Sequence, residues 1–479
     1  MKKNNFILSL FLFCGLFFSC NKVSVQWVVS TPEFSWKSQS ADSIEFIKGN
    51  TFDTEVDVLN PKQTVEGFGT CFNELGWTSL SVLSEADREA VMKELFEPRT
   101  GANFTVCRMP VGANDFSRNW YSYNETGGDF EMKNFSIDND KETLVPFIRN
   151  ALKYNPDLKI WASPWSPPTW MKYNKHYACC PSSSFFDEAY HNDIKPEQYG
   201  REGTNMFIQE DAYFKAYALY FSKFIKAYRD ENISIAMVMP QNEFNSCQPF
   251  PSCTWLSSGL NRFVGEYLGP AMKELGVELM FGTMERPTPA MVDTLLQDPK
   301  SSKYITGVGF QWAGKKAVAA IHEKYPDMKI YQTEQECGNG ANDWRLCCSS
   351  WELMKHFFNN GTNVYDYWNT SLEEGGMSRW GWRQNSLVTV NRANKTCKFT
   401  YEYYLLKHLS HYVLPGAQRL ATSGTFSNLL VFRNTDNSYV LMMHNDKDTE
   451  IKPSVKIGEY AISAVLKPNS FNTIVIAKN

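Results

Sequence analysis

Carboxylates, amides and indoles recur together along this chain, at points spaced like the ends of strands. Gln241-Asn242-Glu243 and Gln332-Thr333-Glu334 each close a β-rich run with a glutamate. Other runs end in, or lead on to, similar residues. These are Asn73-Glu74, Arg108 with Asn114-Asp115 beyond it, Ser163-Pro164-Trp165, Glu285, Gln311-Trp312 and Trp368-Asn369. Two facing carboxyls can divide the work of glycoside hydrolysis, one protonating the leaving oxygen while the other attacks the anomeric carbon or activates water. Indoles cover the apolar faces of sugar rings, and amides and guanidinium groups bind hydroxyls. The sequence offers no Gly-rich phosphate loop and no Ser/His/Asp set. Its seven His are scattered, without the clustering a zinc site needs. Only His408 and His411 are close, on a helical stretch where they face solvent or core. Neither a metal nor an organic cofactor is expected.

What could bring these residues to one place is a parallel barrel. β-rich runs lie at 65–70, 104–111, 159–165, 234–243, 279–285, 305–312, 329–334 and 363–370. Helical patterns separate them, at 84–96, 143–154, 211–229, 261–275, 315–324 and 350–359. The first of these opens with Ser84 as N-cap and Asp87 three residues on, close to a capping box. Strands alternating with helices predict an α/β fold, a (β/α)₈ TIM barrel across 63–411, whose active site sits at the C-terminal ends of the strands. Beyond 412 the pattern changes to short alternating strands at 429–433, 439–444, 451–457, 461–466 and 473–477. These predict a small β-sandwich over 412–479, which the strand-like segment 21–62 joins to make it discontinuous.

The bulk numbers bound the rest. Net charge is −4 with no Lys/Arg run, which leaves nucleic acid no electrostatic footprint. Lys2 and Lys3 precede a short apolar stretch and Phe17-Phe18-Ser19-Cys20. The stretch is too short for a membrane span and reads as an export signal over 1–20, with Cys20 the lipidated first residue of the mature chain; an ordinary signal peptide cut near Ser19 is the alternative. The expectation is an exported bacterial lipoprotein of the outer membrane, touching membrane only through its lipid anchor. Export permits disulfides. Spacing does not assign them, and Cys247 with Cys253, flanking a short Pro-rich loop, is the first-choice pair.

At the level of motifs the chain resembles the clan of retaining (β/α)₈ glycosidases, and more narrowly glycoside hydrolase family 30, the glucosylceramidase-like family. The resemblance rests on Val65-Glu66-Gly67-Phe68-Gly69, Arg108-Met109-Pro110 with Asp115-Phe116-Ser117, and the very specific Ser163-Pro164-Trp165-Ser166-Pro167-Pro168-Thr169-Trp170. Gln241-Asn242-Glu243, Thr333-Glu334 and Tyr367-Trp368-Asn369 add to it. It implies that Glu243 is the general acid/base, Glu334 the nucleophile and Asn242 the holder of the substrate 2-hydroxyl, with Glu74, Arg108, Trp165 and Trp368 lining the sugar pocket. Asp115, Gln311, Trp312, Asn369, Trp380 and Trp382 complete the expected substrate contacts. Two departures stand out: Phe244 where many relatives carry Pro, and Gln311-Trp312-Ala313 where glucosylceramide-cleaving relatives carry His-Trp-Tyr. The strings Gln332-Thr333-Glu334-Gln335-Glu336-Cys337-Gly338 and Leu372-Glu373-Glu374-Gly375-Gly376, with Trp380-Gly381-Trp382-Arg383-Gln384-Asn385-Ser386, look most like the β-1,6-glucanase branch. The implied substrate is a β-linked glucan, first a β-1,6-glucan attacked internally. The rivals are a β-glucosidase, glucosylceramidase, β-xylosidase or xylanase of the same family, and a non-catalytic glycan-binding lipoprotein.

Several residues stay open at this level. Glu336 shares a strand face with Glu334 and rivals it as nucleophile. Glu285 is either a third site carboxyl or a rim partner of Arg286. Arg108 is a substrate ligand, a partner for a catalytic carboxylate, or both. Trp165, ending a strand, reads as a sugar platform and Trp161, inside it, as core. Trp380 and Trp382 make outer subsites or pack a loop. The long segment 173–205 shapes specificity without showing which way.

Overall fold

The computed structural model describes residues 23–182 and 190–478. The leader and the lipidation expected at Cys20 lie outside them. Eight parallel strands close into a barrel: β1 (Gly67–Cys71), β2 (Val106–Pro110), β3 (Lys159–Ser163), β4 (Ile235–Val238), β5 (Glu278–Met284), β6 (Ile305–Gln311), β7 (Lys329–Glu334) and β8 (Val364–Asn369), with β8 pairing back onto β1. Each strand falls on one of the β-rich runs of the sequence. β4 is much shorter than its run, because Pro240 offers no N–H to a ladder and the chain turns away at Glu243, whose φ is +43°. The run therefore ends in a loop, and Asn242 and Glu243 are carried on it.

Alternate residues point inward and fill the lumen, where Val106, Trp161, Met237, Met239, Met280, Tyr331 and Val364 form one apolar cluster. Closure is tight enough that β1 needs glycine: a Cβ on Gly69 would lie 1.5 Å from the Val106 carbonyl oxygen. Outside, the helix Glu85–Phe96 begins as expected, the Ser84 hydroxyl oxygen accepting from the Asp87 N–H at 3.1 Å. The segment expected as one helix over 261–275 is three: Ser257–Phe263, a π-helical turn at Val264–Leu268, and Gly269–Leu275, since Pro270 removes a backbone donor where they join.

The β-sandwich is built from segments on either side of the barrel in sequence. One sheet runs Gln418–Leu420, Leu429–Arg433, Tyr439–Asn445, Ser470–Lys478, Val23–Ser30, Lys37–Ser38; the other runs Thr422–Gly424, Thr54–Val56, Ser454–Ile457, Tyr460–Ala464, Ile44–Phe46. Between them lies a second core that includes Trp27, Val29, Leu441, Ile462 and Ile474. His408, on the helix Tyr401–Ser410, is fully buried at the seam with the barrel, its ring nitrogens 2.9 Å from the hydroxyls of Thr473 and Ser30. A further small sheet goes beyond the expected elements. Ser371–Glu373, Val388–Asn391 and Thr396–Phe399 follow β8 and brace the loop that carries Trp380, Trp382 and Gln384.

The expected Cys247–Cys253 bridge is corrected: both are free thiols, as are the other cysteines of the described residues. Cys253 is fully buried, while Cys247 lies against Cys179 and Cys180.

Candidate active site

Arg108 organises the barrel mouth. It rises from β2 with no exposure, and its guanidinium carbon lies 4.3 Å from the ring centre of Trp165, 4.9 Å from that of Trp161 and 5.2 Å from that of Trp368. Three indole faces thus confine one permanent cation. Its Nη1 donates to Glu334 Oε2 at 2.9 Å and to the Thr333 carbonyl at 3.2 Å. Its Nη2 donates to Ser163 Oγ at 2.9 Å and Asn242 Oδ1 at 2.6 Å.

Gln311, at the end of β6, ties the two glutamates together. Its Nε2 lies 3.1 Å from Glu243 Oε1 and 3.1 Å from Glu334 Oε2. Two oxygens sharing one nitrogen cannot be further apart than the sum of those distances. Its Oε1 lies 2.9 Å from the Thr333 hydroxyl and 3.5 Å from Arg108 Nη1, which can only donate, so the amide nitrogen is the end that faces the carboxyls. Glu334 Oε1 also accepts from Trp312 Nε1 at 3.0 Å. Among the described residues Glu243 Oε2 has only the Gln248 amide, at 3.4 Å. Both Glu243 and Trp312 hold left-handed backbone, with φ of +43° and +46°, a conformation that costs energy for side-chain-bearing residues and gathers at functional sites. The Glu243 N–H donates to Thr283 Oγ1 at 3.1 Å, and that hydroxyl donates to Asn242 Oδ1 at 2.9 Å. With Oδ1 so committed, the Asn242 amide nitrogen is left for the cleft, donating to none of the described residues.

These groups open into a cleft of about 290 Å³, whose wall includes Asp115, Trp165, Asn242, Glu243, Trp312, Glu334 and Trp382 among the residues singled out in the sequence. Ser246, Gln248, Phe250, Glu285, Arg286 and Gln384 also line it. Of these, only Glu285 and Arg286 carry a signal in the pattern of strand ends. Gln248 follows Glu243 on one loop, a nearness that could have flagged it; Gln384 depends on the small sheet after β8. Trp165 is both platform and core, one side on the cleft and the other 5.0 Å from the ring of Trp368. Asp115 Oδ1 is buried with no partner.

Several of the expected contacts lie off the cleft wall. Glu74 does not face the cleft: it starts a helix and is consumed by Arg118 Nε at 2.9 Å, the Arg118 N–H at 2.9 Å and Asn139 at 3.0 Å. Arg108 and Gln311 have no exposure; they orient the carboxyls from beneath. Trp368 is buried behind Trp165, close to the Asp115 carboxyl. Asn369 is buried too, its amide donating to Gln384 Oε1 at 2.7 Å, so it steadies a cleft residue. Trp380 packs on Trp120, ring centres 4.5 Å apart, and braces the loop. Glu336 turns away to pair with Lys315.

Burial pushes both central carboxyls up, and their partners separate them. Glu243 is driven well above the usual range by burial, then by the charges of Glu334 and Glu285. Glu334 is raised by burial but pulled back by the Arg108 cation and by N–H donors from Trp312 and Gln311. The first proton to leave the pair is therefore that of Glu334, and Glu243 keeps its own.

A closed parallel barrel whose mouth holds one carboxyl braced by arginine, beside a second within reach of the same amide, defines a barrel glycoside hydrolase. The chain belongs to glycosyl hydrolase family 30: that family's TIM-barrel domain matches residues 65–193 and 196–413, and its beta sandwich domain matches 416–474. Endo-1,6-beta-D-glucanase neg1 of Aspergillus fumigatus is 26% identical over 391 residues, covering 76% of this chain and 74% of that protein. Lysosomal acid glucosylceramidase of Mus musculus is 23% identical over 435 residues, covering 85% and 79%. The solved endo-beta1,6-glucanase BT3312 superposes with a TM-score of 0.78 at 25% identity, over 95% of this chain and 100% of that one.

Proposed function

We propose that this enzyme is a retaining β-glycosidase acting internally on β-1,6-glucan, with Glu334 as nucleophile and Glu243 as acid/base. The observation that carries the retaining reading is the shared Gln311 amide. Oxygens each 3.1 Å from one nitrogen stand closer than the ~6.5 Å at which the inverting arrangement begins. Ionised Glu334 attacks the anomeric carbon while protonated Glu243 gives its proton to the departing oxygen. The resulting glycosyl ester cancels the Glu334 charge, the Glu243 carboxyl becomes more acidic, and it then takes a proton from the water that cleaves the ester. The free Asn242 amide donates to the sugar 2-hydroxyl, and the idle Asp115 oxygen accepts from another hydroxyl.

The linkage rests on the glucanase-like strings around Glu334 and Trp382 and on the two glucanase likenesses. Internal attack is favoured by a second hollow of about 570 Å³ beside the cleft, lined like it by Trp312 and Trp382. Product analysis on β-1,6-glucan, beside β-1,3-glucan, β-1,4-glucan and xylan, tests this. A ladder of short oligosaccharides from the β-1,6 polymer alone is expected. Release of monosaccharide from aryl or lipid β-glucosides, with no ladder, would move the substrate to the glucosidase branch.

The leader supports a second part of the reading, an outer-membrane lipoprotein anchored through Cys20. Labelled palmitate should enter the wild-type chain expressed in a bacterium and not Cys20→Ser; equal labelling would refute the anchor.

A further inference from the structure

One side of the cleft carries a third carboxyl that two-carboxylate chemistry does not use. Glu285 follows β5 and is 1% exposed. Its Oε1 accepts from the Asn245 N–H at 3.1 Å and the Ser246 hydroxyl at 3.3 Å. Its Oε2 is buried with no partner. The neighbouring Arg286 does not satisfy it: the nearest approach is Nε at 3.9 Å from Oε1, and the guanidinium reaches instead to Glu202 and, at 3.3 Å, to the Asn245 carbonyl. A buried carboxyl with an idle oxygen is costly, and that cost is relieved when a ligand supplies the missing hydrogen bond. Glu285 lines the cleft with Ser246, Gln248, Phe250 and Arg286. Ser246, Gln248 and Phe250 sit on the loop that carries Glu243, and Arg286 is next in sequence, so the group surrounds the acid rather than the nucleophile.

We propose that Glu285 holds a hydroxyl of the departing sugar, making this side of the cleft a subsite for an uncharged, polyhydroxylated leaving group rather than an apolar one. The proposal rests on the assignment of Glu243 as the acid, since the leaving oxygen lies wherever that proton is delivered. Phe250 supplies an apolar face for the ring, and Arg286 and Gln248 supply donors around it. Burial brings the Glu285 carboxyl to about 7, against the pull of Arg286. Either protonation state can bond to a hydroxyl, which both donates and accepts. The charged or titratable groups around it are Glu243 and Arg286, with Glu202 beyond the arginine and Glu334 and Asp115 elsewhere in the cleft.

The test compares two substrates in wild type, Glu285→Ala and Glu285→Gln: a β-1,6-linked glucotetraose, and the 2,4-dinitrophenyl β-glycoside of the corresponding disaccharide. The aryl group has no hydroxyl to hold. Loss of a hydrogen bond to a carboxyl should lower kcat/KM on the tetraose by about tenfold or more in Glu285→Ala, with a smaller loss in Glu285→Gln. The aryl substrate should fall by less than about threefold in either. Glu285→Gln keeps an oxygen for Asn245 and Ser246, so it reports even if the alanine variant fails to fold. Equal losses on both substrates, or no loss on the tetraose, would overturn the proposal. Wild-type protein that turns over neither substrate would instead overturn the glycosidase reading beneath it.

Discussion

Arg108→Gln removes the cation that touches the nucleophile while keeping a side chain that can hydrogen-bond. In the wild type, Arg108 Nη1 and Glu334 Oε2 are 2.9 Å apart and both are buried. At an effective dielectric of about 20, unit charges roughly 4 Å apart interact by about 4 kcal/mol. At about 1.4 kcal/mol per pH unit, that is close to three units of acidity. Trp312 and Gln311 still donate to Glu334, so the expected rise is about two to three units. The sign follows from the role: Glu334 must be ionised to attack, so a higher value moves the acid limb of kcat/KM to higher pH. The limb should be read with a 2,4-dinitrophenyl glycoside, whose departure needs no proton from Glu243. Activity near pH 5 should then fall by about a hundredfold or more and recover toward alkaline pH. Breaking a buried pair also costs stability, about 3–5 kcal/mol, so folding must be confirmed by circular dichroism at the assay temperature. A folded variant whose acid limb stays within about half a pH unit of wild type would refute the account of how Glu334 is kept charged.

Glu334→Ala should abolish turnover of every substrate, because no glycosyl ester forms; retention of most wild-type activity would sink the assignment. Glu243→Gln should be severe on oligosaccharides but mild for the first step with dinitrophenyl glycosides, seen as a burst of dinitrophenolate followed by slow hydrolysis. An equal fall for all leaving groups would show that Glu243 is not the acid. Asp140, away from the cleft, accepts from the hydroxyls of Tyr121, Tyr123 and Tyr228 at 2.9, 2.6 and 2.6 Å, and burial raises it to about 6. The folded carboxyl keeps its proton where the unfolded one has lost it, so this group's contribution is full below about pH 4 and is lost as pH rises to about 6. Asp140→Asn should remove that decline, worth about 3 kcal/mol, and a urea titration series across the window would detect it; an unchanged slope would refute the shift.

The barrel was legible because strands buried on both faces read as continuous apolar runs, and their ends broke that pattern with polar residues. The identities of Glu243, Glu334, Asn242 and Gln311 came from those ends. What each does was less visible, because partners come from distant segments. Nothing near Glu74 announces that Arg118 will claim it, and nothing in Arg108 says that three indoles will enclose it. Strand ends also cannot tell one face of an indole from another, so Trp165 and Trp368 read alike although only the first reaches the cleft. Thr283 ranks among the site's organising residues, fastening both Asn242 and Glu243, yet a threonine within a strand carries no signal. The small sheet after β8 escaped the strand pattern, though Asn391-Arg392-Ala393-Asn394-Lys395 between two β-branched stretches is a recognisable hairpin turn.

The strand Val23–Ser30 lies antiparallel along Ser470–Lys478, with Val23 opposite Lys478. A segment made before the barrel is thus zipped to one made after it. During vectorial emergence from a ribosome or a translocation channel, the barrel can close while that first strand still waits for its neighbour, an exposed edge with nothing to pair. Completion of the sandwich is a late event by construction, since Ser470–Lys478 is made after every strand of the barrel. Chains cut short before Ser470–Lys478 would keep every residue of the cleft and yet leave that edge open, which makes them targets for quality-control proteases rather than active fragments.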